Sequence, residues 1–143
     1  MFNIQVIDPK HALYNQVIDL RHYVLRVPIG LSIYEEDLSG DLEDFTFIIV
    51  NNDEVLGCLM GKPISKTEIK LRQMAIKPQY QSKGLGSKLM IFAQQYIKGK
   101  GYHKISLHAR KNVTPFYEQL GYTNEGAEFY EVGIPHIKMV QSI

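Results

Sequence analysis

An α/β (α+β) domain is the fold class that this sequence predicts: a mixed, mostly antiparallel sheet of about six to seven strands flanked by helices. Three observations predict it. Short runs of alternating apolar residues recur along the chain, two longer stretches carry apolar residues at helical spacing, and a glycine-containing loop joins a strand to the second of these stretches. With 143 residues the chain is long enough for one core, so a single domain over residues 1–143 is expected.

Residues 2–7 alternate as an opening strand, and Asp8-Pro9 punctuates before a helix expected from about Lys10 to Val27, with Leu13, Val17, Leu20, Val24 and Leu25 on one face. Pro28 and Gly30 end that helix. Tyr34 to Leu38 reads as a further helical turn or an acidic loop. Phe45 to Val50 and Val55 to Ile64 flank the turn Asn51-Asn52-Asp53 as a hairpin. Thr67 to Lys77 is the next strand, with Ile69, Leu71, Gln73 and Ala75 expected on one face and Glu68, Lys70, Arg72, Met74 and Ile76 on the other. Pro78 ends its ladder because it has no N–H. The second helix, about Gly84 to Lys100, buries a stripe of Leu85, Leu89, Phe92, Ala93, Tyr96 and Ile97, and Gly99-Lys100-Gly101 closes it. Strand His103 to Ala109, short helix Pro115 to Leu120, strand Tyr122 to Asn124, a turn at Gly126 to Phe129 and a last strand Glu131 to Val140, broken at Gly133 and Pro135, complete the order.

Composition excludes several function classes. Hydrophobic residues at 45% and charged residues at 22% argue against disorder or a coiled coil, and a net charge of +1 gives no broad basic footprint for nucleic acid. No membrane partner is indicated, and with no signal-like N-terminus a cytoplasmic location is expected. The lone cysteine, Cys58, reads as a small buried hydrophobe, and the histidines show no metal-ligand spacing, so no metal is expected.

The loop Gln81-Ser82-Lys83-Gly84-Leu85-Gly86 carries the first chemical signal. Its glycines allow a tight turn and close approach, and the amides that open the following helix lack internal partners and favour an anion such as a pyrophosphate. A dinucleotide-binding α/β fold would want a third glycine, which Gly84-Leu85-Gly86-Ser87-Lys88-Leu89 lacks.

Met74-Ala75-Ile76-Lys77-Pro78 before this loop and Phe116-Tyr117-Glu118-Gln119-Leu120-Gly121-Tyr122 after it give the whole a clear resemblance to the GNAT family of N-acetyltransferases, in particular to a bacterial subgroup whose last strand carries Gly133-Ile134-Pro135-His136. The resemblance implies acetyl-CoA as cosubstrate and direct attack of a primary amine on the thioester in a ternary complex. It implies that backbone groups of Met74, Ala75 and Ile76 pair with the pantetheine arm. Gln81, Ser82, Lys83, Gly84, Leu85, Gly86 and Ser87 would hold the pyrophosphate, and Asn112 and Phe116 would complete the coenzyme A site. Tyr117 matches the family's acid for the departing thiolate, and His136 falls where it could take a proton from the amine. Arg26, Glu35, Glu36 and Arg110 would line the acceptor side. Two positions depart from the pattern: Lys70 stands where histone-directed members carry a glutamate base, and Arg110 stands where many members carry asparagine. A small-molecule or peptide amine is the expected acceptor, with a homodimer left open. A non-catalytic acyl-CoA sensor or scaffold is the competing reading.

Overall fold

The computed structural model describes residues 2–143. Along the chain lie β1 (Asn3–Ile7), α1 (Tyr14–Arg21), β2 (Phe45–Asn51), β3 (Glu54–Pro63), β4 (Glu68–Ile76), α2 (Leu85–Gly99), β5 (Lys104–Arg110), α3 (Thr114–Gln119), β6 (Thr123–Asn124), β7 (Phe129–Glu131) and β8 (Ile134–Ser142). The strands form one eight-stranded sheet in the order β1-β2-β3-β4-β5-β8-β6, with β7 also pairing β8. Every pairing is antiparallel except β4 with β5. The mixed, mostly antiparallel sheet is as expected, with more short strands than the sequence suggested.

Alternation along β2 assigns the two faces. Phe47 and Ile49 enter the core beneath α2 with Leu59, Leu71, Leu89, Ile97 and Ile105, while Ile48 and Val50 join Cys58, Val17 and Leu20 beneath α1. Asn52 and Asp53 close the β2–β3 hairpin with φ of 50° and 63°, the backbone of a primed turn that matches strand twist.

Three expectations require correction. The first helix begins at Tyr14 rather than Lys10, because Asp8 accepts the Lys10 amide at 2.7 Å and His11 Nδ1 accepts the Leu13 amide at 3.1 Å, holding residues 8–13 in turns. The turn before the last strand is at Val132-Gly133, with φ of 48° and 74°, while Pro135 and His136 lie within β8 opposite Tyr130 and Phe129. The face assignment of β4 fails beyond Arg72. Ala75 packs in the α1 core whereas Met74 and Ile76 pack towards α2, because a β-bulge at Gln73 shifts the alternation by one residue.

Beyond Arg21 the first helix widens into a π-turn at His22–Arg26, closed by the Val27 amide on the His22 carbonyl, and tightens to a 3₁₀ turn at Val27–Ile29 before Gly30. Arg21 is wholly buried, donating to Asp41 Oδ2 at 2.8 Å, an oxygen that also accepts the Tyr14 hydroxyl at 2.8 Å. Removing one partner of a buried ion pair strands the other charge. Asp41→Ala is therefore expected to lower stability by about 3–5 kcal/mol, read as a lower urea midpoint at unchanged slope. A loss under about 1 kcal/mol would show that Arg21 is satisfied without Asp41.

Candidate functional site

The site begins as a gap in the sheet. β4 and β5 are in register only over Glu68–Leu71 and Lys104–Leu107. Beyond Leu71, β4 continues against β3 as far as Ile76, and β5 continues against β8 as far as Arg110, so the facing edges of β4 and β5 lose each other. The bulge lies where they part. Gln73 has a φ of 58°, and the register step from Cys58↔Ala75 to Met60↔Arg72 leaves Gln73 and Met74 opposite Leu59 alone.

A non-glycine residue in the left-handed region is held there only by its surroundings. Gln73 Oε1 accepts from Arg21 Nε at 3.3 Å and from Arg26 Nη2 at 3.1 Å, and its carbonyl lies 3.5 Å from Cys58 Sγ. Arg21 and Arg26 are five residues apart, a spacing that an ordinary α-helix would send to different faces. The intervening π-turn, with its i→i+5 hydrogen bond, brings both guanidinium groups to one carboxamide.

A cleft of about 830 Å³ occupies the gap and reaches both faces of the sheet. From the α2 side it is lined by Leu59, Leu71, Met74, Met90, Leu107 and Tyr117, and from the opposite side by Lys70, Arg72, His108, Arg110, Glu131 and His136. Arg26, Glu35 and Glu36 form part of its wall.

Within this cleft Tyr117 packs edge-on against Phe116 and Tyr122, with ring centroids 5.0 and 6.1 Å away. Burial pushes its phenol above the usual value, so it is protonated at neutral pH, and its hydroxyl makes no hydrogen bond among the described residues. His136 is 6% exposed. Its Nδ1 lies 2.8 Å from the Ile134 carbonyl, which can only accept, so Nδ1 carries the proton and Nε2 of the neutral ring is the free base. Glu131 stands between two imidazoles, 3.6 Å from His136 Nε2 and 3.1 Å from His108 Nδ1.

Arg26 and Glu36 are paired to each other through two hydrogen bonds, and Arg26 holds Glu36 below the usual carboxylate range, so much of their charge is spent inside the wall. Glu35 and Arg110 are exposed, with no ion-pair partner among the described residues. Asn112 sits in an exposed turn, Lys111–Val113, of which only Val113 lines the cleft. Cys58 is fully buried, and desolvation pushes its thiol up to about 12, which excludes a ready thiolate.

The glycine loop lies beyond the cleft at the start of α2. Gln81 Nε2 donates to the Ile76 carbonyl at 2.9 Å, tying the loop to the end of β4. Ser82 and Gly84 have φ of 61° and 81°, no side chain caps α2, and the space above Gly84 is open to 4 Å. A Cβ on Gly86 would lie 3.5 Å from both Met74 Sδ and the Phe116 ring, so this glycine connects the loop to residues at the cleft. Lys83 stacks its ammonium over Tyr80, 5.8 Å from the ring centroid. An uncapped helix start with open backbone above it suits an anion.

Sequence reasoning missed Gln73, Arg21, His108 and the anchoring of Glu131. A signal existed for Arg21, which follows Leu20 on the inward side of the first helix.

The sheet is parted between its two parallel strands, with an anion-ready helix start on one side and titratable groups on the other. Residues 29–143 match the family model of the acetyltransferase (GNAT) domain. The chain belongs to the GNAT family and is an N-acetyltransferase, drawing its acyl group from acyl-CoA. It is similar to the uncharacterized protein YyaT of Bacillus subtilis (strain 168), 26% identical over 132 residues that cover 85% of this chain and 88% of that protein. Among solved structures, an acyl-CoA N-acyltransferase from Pseudomonas aeruginosa superposes with a TM-score of 0.86 at 16% identity, covering 99% of both chains. A GNAT family acetyltransferase from Elizabethkingia anophelis, solved with acetyl-CoA bound, superposes with a TM-score of 0.75 at 16% identity, covering 99% of this chain and 98% of that one.

The carbonyl anchor makes a direct prediction for His136. Nitrogen-15 correlation spectra of the neutral ring are expected to show Nδ1 protonated and Nε2 bare, the less common tautomer in free histidine. A spectrum with the proton on Nε2 would remove it as the free base.

Proposed function

We propose that the enzyme transfers an acetyl group from acetyl-CoA directly to a primary amine in a ternary complex, the cosubstrate entering from the α2 face and the amine from the opposite face. The observation that carries this reading is the gap between β4 and β5, which joins the two faces at the bulge. On the cosubstrate side Met74, Ala75 and Ile76 lie along the stretch of β4 that β5 leaves unpaired, with the Ile76 carbonyl held by Gln81, and this edge suits an extended pantetheine arm. Gln81 anchors the loop to β4, its own amide being turned to the Pro78 carbonyl, and the uncapped amides from Ser82 to Ser87 suit the pyrophosphate. Phe116, against Gly86, borders the same path, and Asn112 is assigned to its outer end.

Each protein group then has a limited task. The acceptor amine must lose a proton before it can attack a thioester, and His136 Nε2 is the accepting atom on the opposite face. As the ring becomes cationic, its Nδ1–H stays on the Ile134 carbonyl and the Glu131 carboxylate, 3.6 Å from Nε2, offsets the new charge. Tyr117, protonated and without a competing partner, donates its phenolic proton to the departing thiolate. Holding both reactants in one gap supplies the orientation that the reaction needs beyond these proton transfers.

Thiol release from acetyl-CoA across a panel of primary amines tests the activity. With an accepted amine, Tyr117→Phe is expected to lower turnover by about a hundredfold while coenzyme A affinity holds, since the ring still packs and only the proton is lost. Turnover equal to wild type under rate-limiting chemistry would reassign Tyr117 to packing. Gly84→Asp places a carboxylate and a Cβ in the open space above the loop, at a φ that disfavours both. Coenzyme A affinity measured by calorimetry should fall by an order of magnitude or more. Unchanged affinity would remove the loop from the pyrophosphate site.

A further inference from the structure

Two lysines face each other across β3 and β4 at the edge of the cleft, one of them lining it. In the β3–β4 register Lys62 stands directly opposite Lys70, and like charges in that position repel. The cations around them are matched: Arg72 with Asp44, Lys104 with Glu68 at 3.9 Å, and Lys138 with Glu125 at 3.1 Å. Lys62 and Lys70 make no ion pair among the described residues. Lys70 is half-buried and lines the cleft, whereas Lys62 is exposed beside it. Desolvation pushes the Lys70 ammonium below its usual value, and Arg72, Lys62 and Lys138 push the same way. The opposing charge is Glu131, whose oxygens are directed to His108 and His136.

We propose that Lys70, with Lys62 beside it, seats an anionic group of the acceptor, which makes the acceptor a primary amine bearing a carboxylate or phosphate at its far end. This rests on the acetyl-transfer reading of the same cleft. Lys70 pairs across β4–β5 with Ser106, and Ser106, His108 and Arg110 alternate onto one face with Arg110 opposite His136, so the anion seat and the proton acceptor share a face. From Lys70 to the bulge at Gln73 is three residues of strand, about 10 Å. An amine and an anion separated by about four or five methylene groups fit that span. Glu35, exposed on the wall without an ion-pair partner among the described residues, favours the cationic end of such a molecule away from the lysines. Lys70 and Glu35 thus offer opposite charges to a bipolar acceptor, with the exposed Arg110 guanidinium a second cation opposite His136.

The test compares pentylamine, cadaverine, 5-aminopentanoate and 4-aminobutyl phosphate as acceptors. The anionic amines should exceed pentylamine in kcat/KM by about tenfold or more, as a charge-assisted contact would give. In Lys70→Met that ratio should fall to near one. The preferred anion of the two identifies carboxylate or phosphate as the natural group. A wild-type preference for pentylamine or cadaverine, or a ratio that survives in Lys70→Met, would overturn the seat while leaving acetyl transfer intact. A second readout does not depend on turnover: inorganic phosphate titrated into the protein should shift the ε-carbon signals of Lys70 and Lys62 saturably, in NMR of the dimethylated lysines. Uniform small shifts across all lysines would overturn the seat by themselves. Failure of all four amines together with saturable phosphate shifts would retain the anion seat and reject acetyl transfer to this class.

Discussion

The geometry of the cleft depends on one backbone residue held in a conformation it would not adopt alone. Gln73 sits at a φ of 58° because its carboxamide oxygen is gripped by Arg21 and Arg26. Arg21 in turn is tolerable in the interior because Asp41 neutralises it, and Asp41 is fixed by the Tyr14 hydroxyl. A chain of contacts therefore runs from the first helix, through a buried charge, to the point where the sheet opens. Buried polar networks of this kind contribute little net stability but penalise alternatives heavily. Here the alternative would be a β4 that continues its regular alternation, which would place Gln73 on the α2 face and Ala75 with it.

Charge in the cleft is sorted by pairing. Arg26 with Glu36 and Arg72 with Asp44 are spent on holding the walls. Burial pushes Asp44 upward even though Arg72 opposes the shift, so desolvation outweighs the ion pair at that carboxylate. What these pairings leave unspent includes the Tyr117 hydroxyl, the Nε2 of His136 and the Lys70 ammonium, together with the exposed Glu35 and Arg110 on the wall. Their environments differ in a useful way. Tyr117 is buried among aromatic rings and keeps its proton, while the Ile134 carbonyl holds the His136 proton at Nδ1 and leaves Nε2 bare.

Elements written in local chemistry could be read from the chain, and elements written in tertiary contact could not. The hairpin at Asn52-Asp53, the stripe of α2 and the glycine loop each follow from residues within a few positions of one another and stand close to where the sequence places them, although Met90 joins the buried stripe while Phe92 and Tyr96 are only half-buried. The start of α1 was misplaced because Asp8 and His11 capture nearby amides with their side chains, which an apolar period does not register. The bulge was missed for a different reason. Glutamine at position 73 fits a period of two, and only the two arginines, 52 and 47 residues away in sequence, make its carboxamide an anchor. The meeting of His108 with Glu131, 23 residues apart, likewise needs both the β5–β8 pairing and the β7–β8 hairpin.

The short parallel register between β4 and β5 has a mechanical meaning. Only four residue pairs join β1–β4 to the group of β5, β6, β7 and β8 along that seam, and they all lie at one end of it. The sheet thus resembles two leaves bound along part of a spine, stiff where the ladder is complete and compliant where it is missing. A molecule lying along the open seam would add rungs to both leaves and act as binding for the unstitched length. Catalysis would then coincide with the stiffest state of the protein, and departure of product would return the seam to its looser, more readily entered form.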